Sequence, residues 1–73
     1  MFSIGQKVET NDIFAGQRIR ISKELGKNFP TYEKGTITNI QRIIFKESYV
    51  PDMVIITLDS NFRHNADMFK ECV

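Results

Sequence analysis

A chain of 73 residues has room for one small hydrophobic core and none for a large enclosed active-site cavity. Its 41% apolar and 26% charged residues belong to a folded globular protein, and ten Lys plus Arg against nine Asp plus Glu leave a net charge of +1, too little to draw the whole molecule to nucleic acid or to an anionic membrane. The lone cysteine, Cys72, excludes an internal disulfide, and no apolar run approaches the roughly 18 residues of a membrane span.

In chain order, Gly5-Gln6-Lys7-Val8 and Gly16-Gln17-Arg18-Ile19 each read as a glycine opening a strand, with Asn11-Asp12 as the turn between them. From Gln17 to Ser22 the residues alternate, which predicts a strand with Ile19 and Ile21 toward the core and Arg18 and Arg20 toward solvent. Lys23 to Lys34 reads as a long polar loop carrying Phe29, Pro30 and Tyr32, with at most one helical turn over Ser22 to Leu25 before Gly26.

Gly35 leads into a β-branched stretch, Thr36 to Lys46, whose apolar phase changes between Ile37 and Ile40, so a bulge or bend is expected at Thr38-Asn39. Glu47-Ser48 form the next turn. Met53 to Leu58 is the most apolar strand, with Val54, Ile56 and Leu58 inward. Asp59-Ser60-Asn61 make a turn, Phe62-Arg63-His64 a short strand, Asn65-Ala66-Asp67 a tight helical turn, and Met68 to Val73 a closing strand.

The order of these pieces resembles the SH3-like small β-barrels, the group that includes KOW and Tudor-like modules. Gly16-Gln17-Arg18-Ile19, Gly35-Thr36-Ile37, Ile56-Thr57-Leu58-Asp59 and Asn65 to Phe69 carry the likeness, which spans Phe14 to Val73. The resemblance implies an all-β fold: a small five-stranded barrel with a short 3-10 turn before the last strand, in a single domain covering residues 1–73. The acidic and aromatic loop by which signalling SH3 domains hold Pro-rich peptides has no counterpart here, and only Gly35 matches the paired glycines of the KOW signature.

On a strand, Arg18 and Arg20 would project from one face at about 7 Å spacing, near the repeat of a nucleic-acid strand. With Arg42, Lys46, Phe45 and Tyr49 from the neighbouring hairpin they would form a basic surface with aromatic platforms. The competing reading is a solvated face paired with acidic neighbours such as Glu9 or Glu47, which the near-neutral net charge favours. Phe29 and Tyr32 are candidates for protein-interface anchors, Phe29 alternatively for a lid over the barrel end.

His64 and Cys72, each the sole residue of its type, leave zinc without a ligand set and a Cys–His nucleophile pair without an orienting group. Asp52, Asp59 and Asp67 fall in turns, where local backbone bonding accounts for them. No glycine loop for phosphate, no metal and no cofactor is expected.

The expected function is therefore a non-enzymatic barrel that binds another protein, as a monomer or weak homodimer, through Phe29, Tyr32, Phe45 and Tyr49 with Arg18, Arg20 and Arg42 beside them. The alternative is RNA or single-stranded DNA binding through the same basic-aromatic face. A single thiol and the absence of a charged leader ahead of Gly5 point to the cytoplasm. The Ile, Asn, Lys and Phe usage suits a bacterial or bacteriophage modulator of a larger assembly.

Overall fold

The computed structural model describes residues 1–72. Five antiparallel strands, β1 (Lys7–Thr10), β2 (Lys34–Ile43), β3 (Met53–Leu58), β4 (Arg63–Asn65) and β5 (Phe69–Glu71), form one sheet in the order β4-β3-β2-β1-β5. A 14-residue helix, α1 (Asp12–Leu25), lies between β1 and β2, and a 3-10 turn (Ala66–Met68) joins β4 to β5. The fold is mostly sheet, so the all-β reading holds in outline, with one helix that it did not include.

Strand β2 serves two partners. Lys34 to Thr36 pair with β1, and from Ile37 onward the strand pairs with β3. The register shifts between Ile37 and Asn39, at the position where the apolar phase breaks in the sequence. That bulge lets Ile37 and Ile40 both face inward: Ile37 is fully buried, and Ile40 packs against the cluster of Val8, Ile37, Ile56, Leu58 and Phe69. Val54, expected inward, stays half-buried because it lies beyond that cluster.

The two edge strands, β4 and β5, are joined by only three residues, so the sheet must curl to bring its edges together. It does not close: no ladder connects β4 to β5 among the described residues. The expected closed barrel is thus an open, curled sheet. Of the expected closing strand Met68 to Val73, β5 takes Phe69–Glu71: Met68 belongs to the 3-10 turn and Cys72 follows the strand, while Val73 lies outside the described residues.

The predicted strand Gln17 to Ser22 is the middle of α1 instead. Asn11 is not a hairpin turn but the N-cap: its Oδ1 accepts the N–H groups of Ile13 and Phe14 at 3.1 and 3.2 Å. Asp12 follows in the first turn and Lys23 stands in the last, each matching the helix dipole. Gly26, with φ of 62°, ends the helix in the left-handed conformation, its N–H bonded to the carbonyl of Ser22. Positions 14, 18, 21 and 25 form the inward stripe, yet Phe14 alone is buried.

Only the first turn of α1 is therefore seated on the sheet, and Leu25, on the same stripe, is 60% exposed. The tip of the β2–β3 hairpin also stands clear, with Ile44 and Tyr49 exposed. These two projections give a radius of gyration of 13.4 Å, where a compact chain of this length would have about 11 Å.

Candidate interaction surface

The six residues of β3 read Met-Val-Ile-Ile-Thr-Leu, apolar on both faces, whereas the curled sheet provides a core on one side only. Ile56 and Leu58 fill that core. Met53 and Ile55 point the other way, and the ladder sets Ile43 opposite Met53 and Gln41 opposite Ile55, so cross-strand neighbours place Ile43, Met53 and Ile55 together on the outer face. All three are half-buried.

A shallow cleft of about 440 Å³ runs from this outer face to the helix, lined by Met53, Ile55 and Met68 with Gln17, Arg63, His64 and Asn65 at its margins. Arg63 is tied down by Gln41, whose Oε1 accepts from Nη2 at 3.3 Å. On the inner side of the same hairpin, beyond the core, a groove of about 540 Å³ is lined by Met1, Phe2, Ile40, Val54 and Ala66. Its rim is the Arg42–Asp52 ion pair at 2.6 Å. The outer end of the hairpin is thus apolar on both faces with little of the core behind it.

The residues singled out in the sequence do not converge on one face. Phe45, 37% exposed, and Tyr49, 84% exposed, sit in the connection between β2 and β3 and line neither of the clefts just described. Arg42 is near them but already engaged by Asp52, through both Nε and Nη2, so Asp52 does more than cap a turn. Arg18 and Arg20 lie on α1, where a separation of two residues turns them about 200° apart, and they present no common strand face. Neither pairs with Glu9. Arg18 lies over the ring of Phe14 at 4.8 Å.

Tyr32 is exposed and hydrogen-bonded: its hydroxyl donates to Glu9 Oε2 at 2.6 Å, while Lys70 Nζ stands 3.7 Å from the other oxygen. That bond holds the Glu9 carboxyl below the usual carboxylate range and pushes the Tyr32 hydroxyl up to about 12. Phe29 is half-buried, its N–H donating to Ser22 Oγ at 3.1 Å, so the loop after α1 folds back on the helix.

His64 and Cys72 are not a pair. Cys72 continues the β5 side, its N–H bonded to the carbonyl of Lys7, whereas His64 is on β4 at the opposite edge of the sheet. Burial, and then the nearby Arg18 charge, push the imidazole down from its ordinary value. Its ring stacks on Phe62 and meets Phe14 edge-on, which makes it part of an aromatic cluster. No group of three or more potential metal ligands is gathered among the described residues. Among the described residues no helix is long and apolar enough to cross a membrane.

Ile43, Met53, Ile55, Met68 and Gln17 were not anticipated as surface contributors. The signal for Met53 and Ile55 was present: the apolar run Met53 to Ile56 in β3 needs a cover on both faces. Comparison with protein families, with characterised proteins and with solved structures finds no match.

Proposed function

We propose that this protein is a non-enzymatic binding module that docks another protein on the β2–β3 hairpin. The observation that carries this reading is the two-faced apolar character of β3, whose outer residues Met53 and Ile55 have no second layer over them. A soluble chain seldom spends such residues on solvent, and a half-buried apolar strip beside exposed aromatics is the composition of an interface centre. Phe45 and Tyr49 are the anchors, Ile43, Met53 and Ile55 the floor, and Gln17, Arg63 and Asn65 the polar rim. Two methionines in and beside the floor let it adapt to its partner.

The strand order, the bulged second strand and the 3-10 turn before β5 support assigning the sheet to the SH3-like half-barrels, although α1 replaces the long loop of that architecture. A chain this small, acting by contact alone, fits a bacterial or bacteriophage modulator of a larger assembly, working in the cytoplasm as a monomer or weak homodimer.

A second reading rests on one observation. Residues 18–34 hold five cations and two carboxylates, none of them in an ion pair among the described residues, and they lie on the projecting helix, its following loop and the first residue of β2. That segment would bind RNA or single-stranded DNA.

Affinity capture from nuclease-treated host lysate, with wild type, Ile55→Lys, Phe45→Ala and the double variant Arg18→Glu/Arg20→Glu, separates the two. Protein docking predicts a specific protein retained by wild type and by the arginine variant, with binding reduced about tenfold or more by each hairpin variant. Capture that vanishes with nuclease, falls steeply with salt and depends on the arginines would overturn it.

A further inference from the structure

Next to the outer cleft, on the other side of the His64 ring, α1, the loop after it and the β3–β4 turn border a cleft of about 290 Å³ lined by Phe14, Arg18, Pro30, Glu33 and Phe62. Its floor is aromatic. Phe14 and Phe62 meet edge-to-face with centroids 5.6 Å apart, and Pro30 forms an apolar wall. One cation and one carboxylate border this floor, and neither Arg18 nor Glu33 has a side-chain hydrogen bond or ion pair among the described residues.

The walls are held in place. Glu33 is clamped through its backbone, its N–H donating to Thr10 Oγ1 at 3.0 Å and its carbonyl accepting the Thr10 N–H at 2.9 Å. The loop is tied to α1 by the Phe29 N–H on Ser22 Oγ. Arg18 is stationed by its contact with the Phe14 ring, a placement that leaves the guanidinium N–H groups free to donate. The parts are therefore pre-positioned, which lowers the ordering cost of binding.

We propose that this cleft binds an α-amino acid with an apolar side chain. The guanidinium of Arg18 takes the carboxylate in a two-pronged hydrogen bond, Glu33 takes the ammonium group, and the side chain lies against Phe62 and Pro30, with the buried Phe14 ring behind them. A dipolar ligand is selected because the cleft offers one charge of each sign. An anion alone would face the Glu33 carboxylate, and a cation alone would face Arg18. This site shares no lining residue with the hairpin's outer cleft, although His64 of that cleft stacks on Phe62.

The test is titration of the full chain by two-dimensional amide NMR with L-phenylalanine and L-leucine, and in parallel with 3-phenylpropionate and phenethylamine, which each carry one charge. Saturable shifts confined to Phe14, Arg18, Phe29, Thr31, Glu33 and Phe62 are expected with the amino acids, and about tenfold or greater weakening with either single-charge analogue. Arg18→Gln and Glu33→Gln should each weaken phenylalanine binding about tenfold, with Arg18→Lys between them and wild type. Amide dispersion in the same spectra verifies that each variant is folded. No saturable shift, equal affinity for all probes, or unchanged affinity in folded variants would overturn the proposal.

Discussion

Asn11 Nδ2 donates to the carbonyl of Asp67 at 2.8 Å, across 56 residues of sequence, while its Oδ1 caps α1. The Asn11 N–H also donates to the carbonyl of Met68 at 2.9 Å. One residue thus fastens the start of the helix to the 3-10 turn that joins the sheet edges. Asn11→Ala should lower unfolding stability by about 1 to 2 kcal/mol, measured by urea denaturation. Asn11→Asp keeps the cap acceptor but loses the donor to Asp67, and should retain part of the difference.

Two glycines should respond in opposite directions. Gly16 is in the middle of α1, and a Cβ there would meet nothing within 4 Å. Gly16→Ala should therefore stabilise the protein by roughly 0.5 to 1 kcal/mol. At Gly35 a Cβ would fall 2.5 Å from Asp59 Oδ1 and 3.3 Å from Leu58 Cβ. That carboxylate accepts the N–H of Thr36, so displacing it also breaks a tie between β2 and the β3–β4 turn. Gly35→Ala should destabilise by about 1 to 3 kcal/mol. Thermal melts of both variants would settle the signs.

The Tyr32–Glu9 bond has a signature at each end of the pH scale. In Tyr49→Phe, where Tyr32 is the remaining tyrosine, ultraviolet titration should show a midpoint near 12 instead of the ordinary 10.0, and Glu9→Gln should bring it back toward 10.0. Because the hydroxyl is held protonated in the fold, its stabilising contribution is present below 10.0 and is lost as pH rises from there toward 12. The Glu9 contribution runs oppositely: present above 4.5, it declines as pH falls through the lowered value.

His64 predicts a loss of stability on mild acidification. Its neutral ring is favoured in the fold by burial first and by Arg18 second, and its Nδ1 accepts the Asn65 N–H at 2.8 Å, which a protonated ring could not do. Below 6.5 the unfolded chain gains a proton that the folded one resists, so stability should fall as pH drops from 6.5 toward the depressed folded value. His64→Phe, which retains an aromatic ring beside Phe14 and Phe62, should flatten this part of the curve. Denaturant midpoints across that pH range would check it.

How much of this was legible in the sequence differs by element. Met53 to Leu58 emerges with its expected ends, and the phase break between Ile37 and Ile40 located the bulge, because both are local consequences of side-chain alternation. The short helical turn after β4 was also readable from Asn65, whose side chain accepts the Asp67 N–H. The segment Gln17 to Ser22 misled because Ile19 and Ile21, flanked by arginines, satisfy a period of two. The 3.6-residue stripe that prevails runs through the polar Arg18 and past Gly16 and Gln17, which conceals it. The terminal signals, Asn11 before Asp12 and Gly26 after Leu25, were in the sequence and agree with the helix.

By itself, the sequence determined features fixed by neighbouring residues: one small core, strands bounded by turns, a bent β2 and a strand too apolar for one face. Only the tertiary structure decided that residues 12–25 coil, because the contacts that hold Asn11 and Phe14 come from Asp67, Phe62 and His64, more than 45 residues along the chain. It also decided where the candidate sites lie. Whether Ile55 has a second layer, or Arg18 meets Glu33 across an aromatic floor, depends on how far the sheet curls and where the helix departs from it, and no local pattern encodes either.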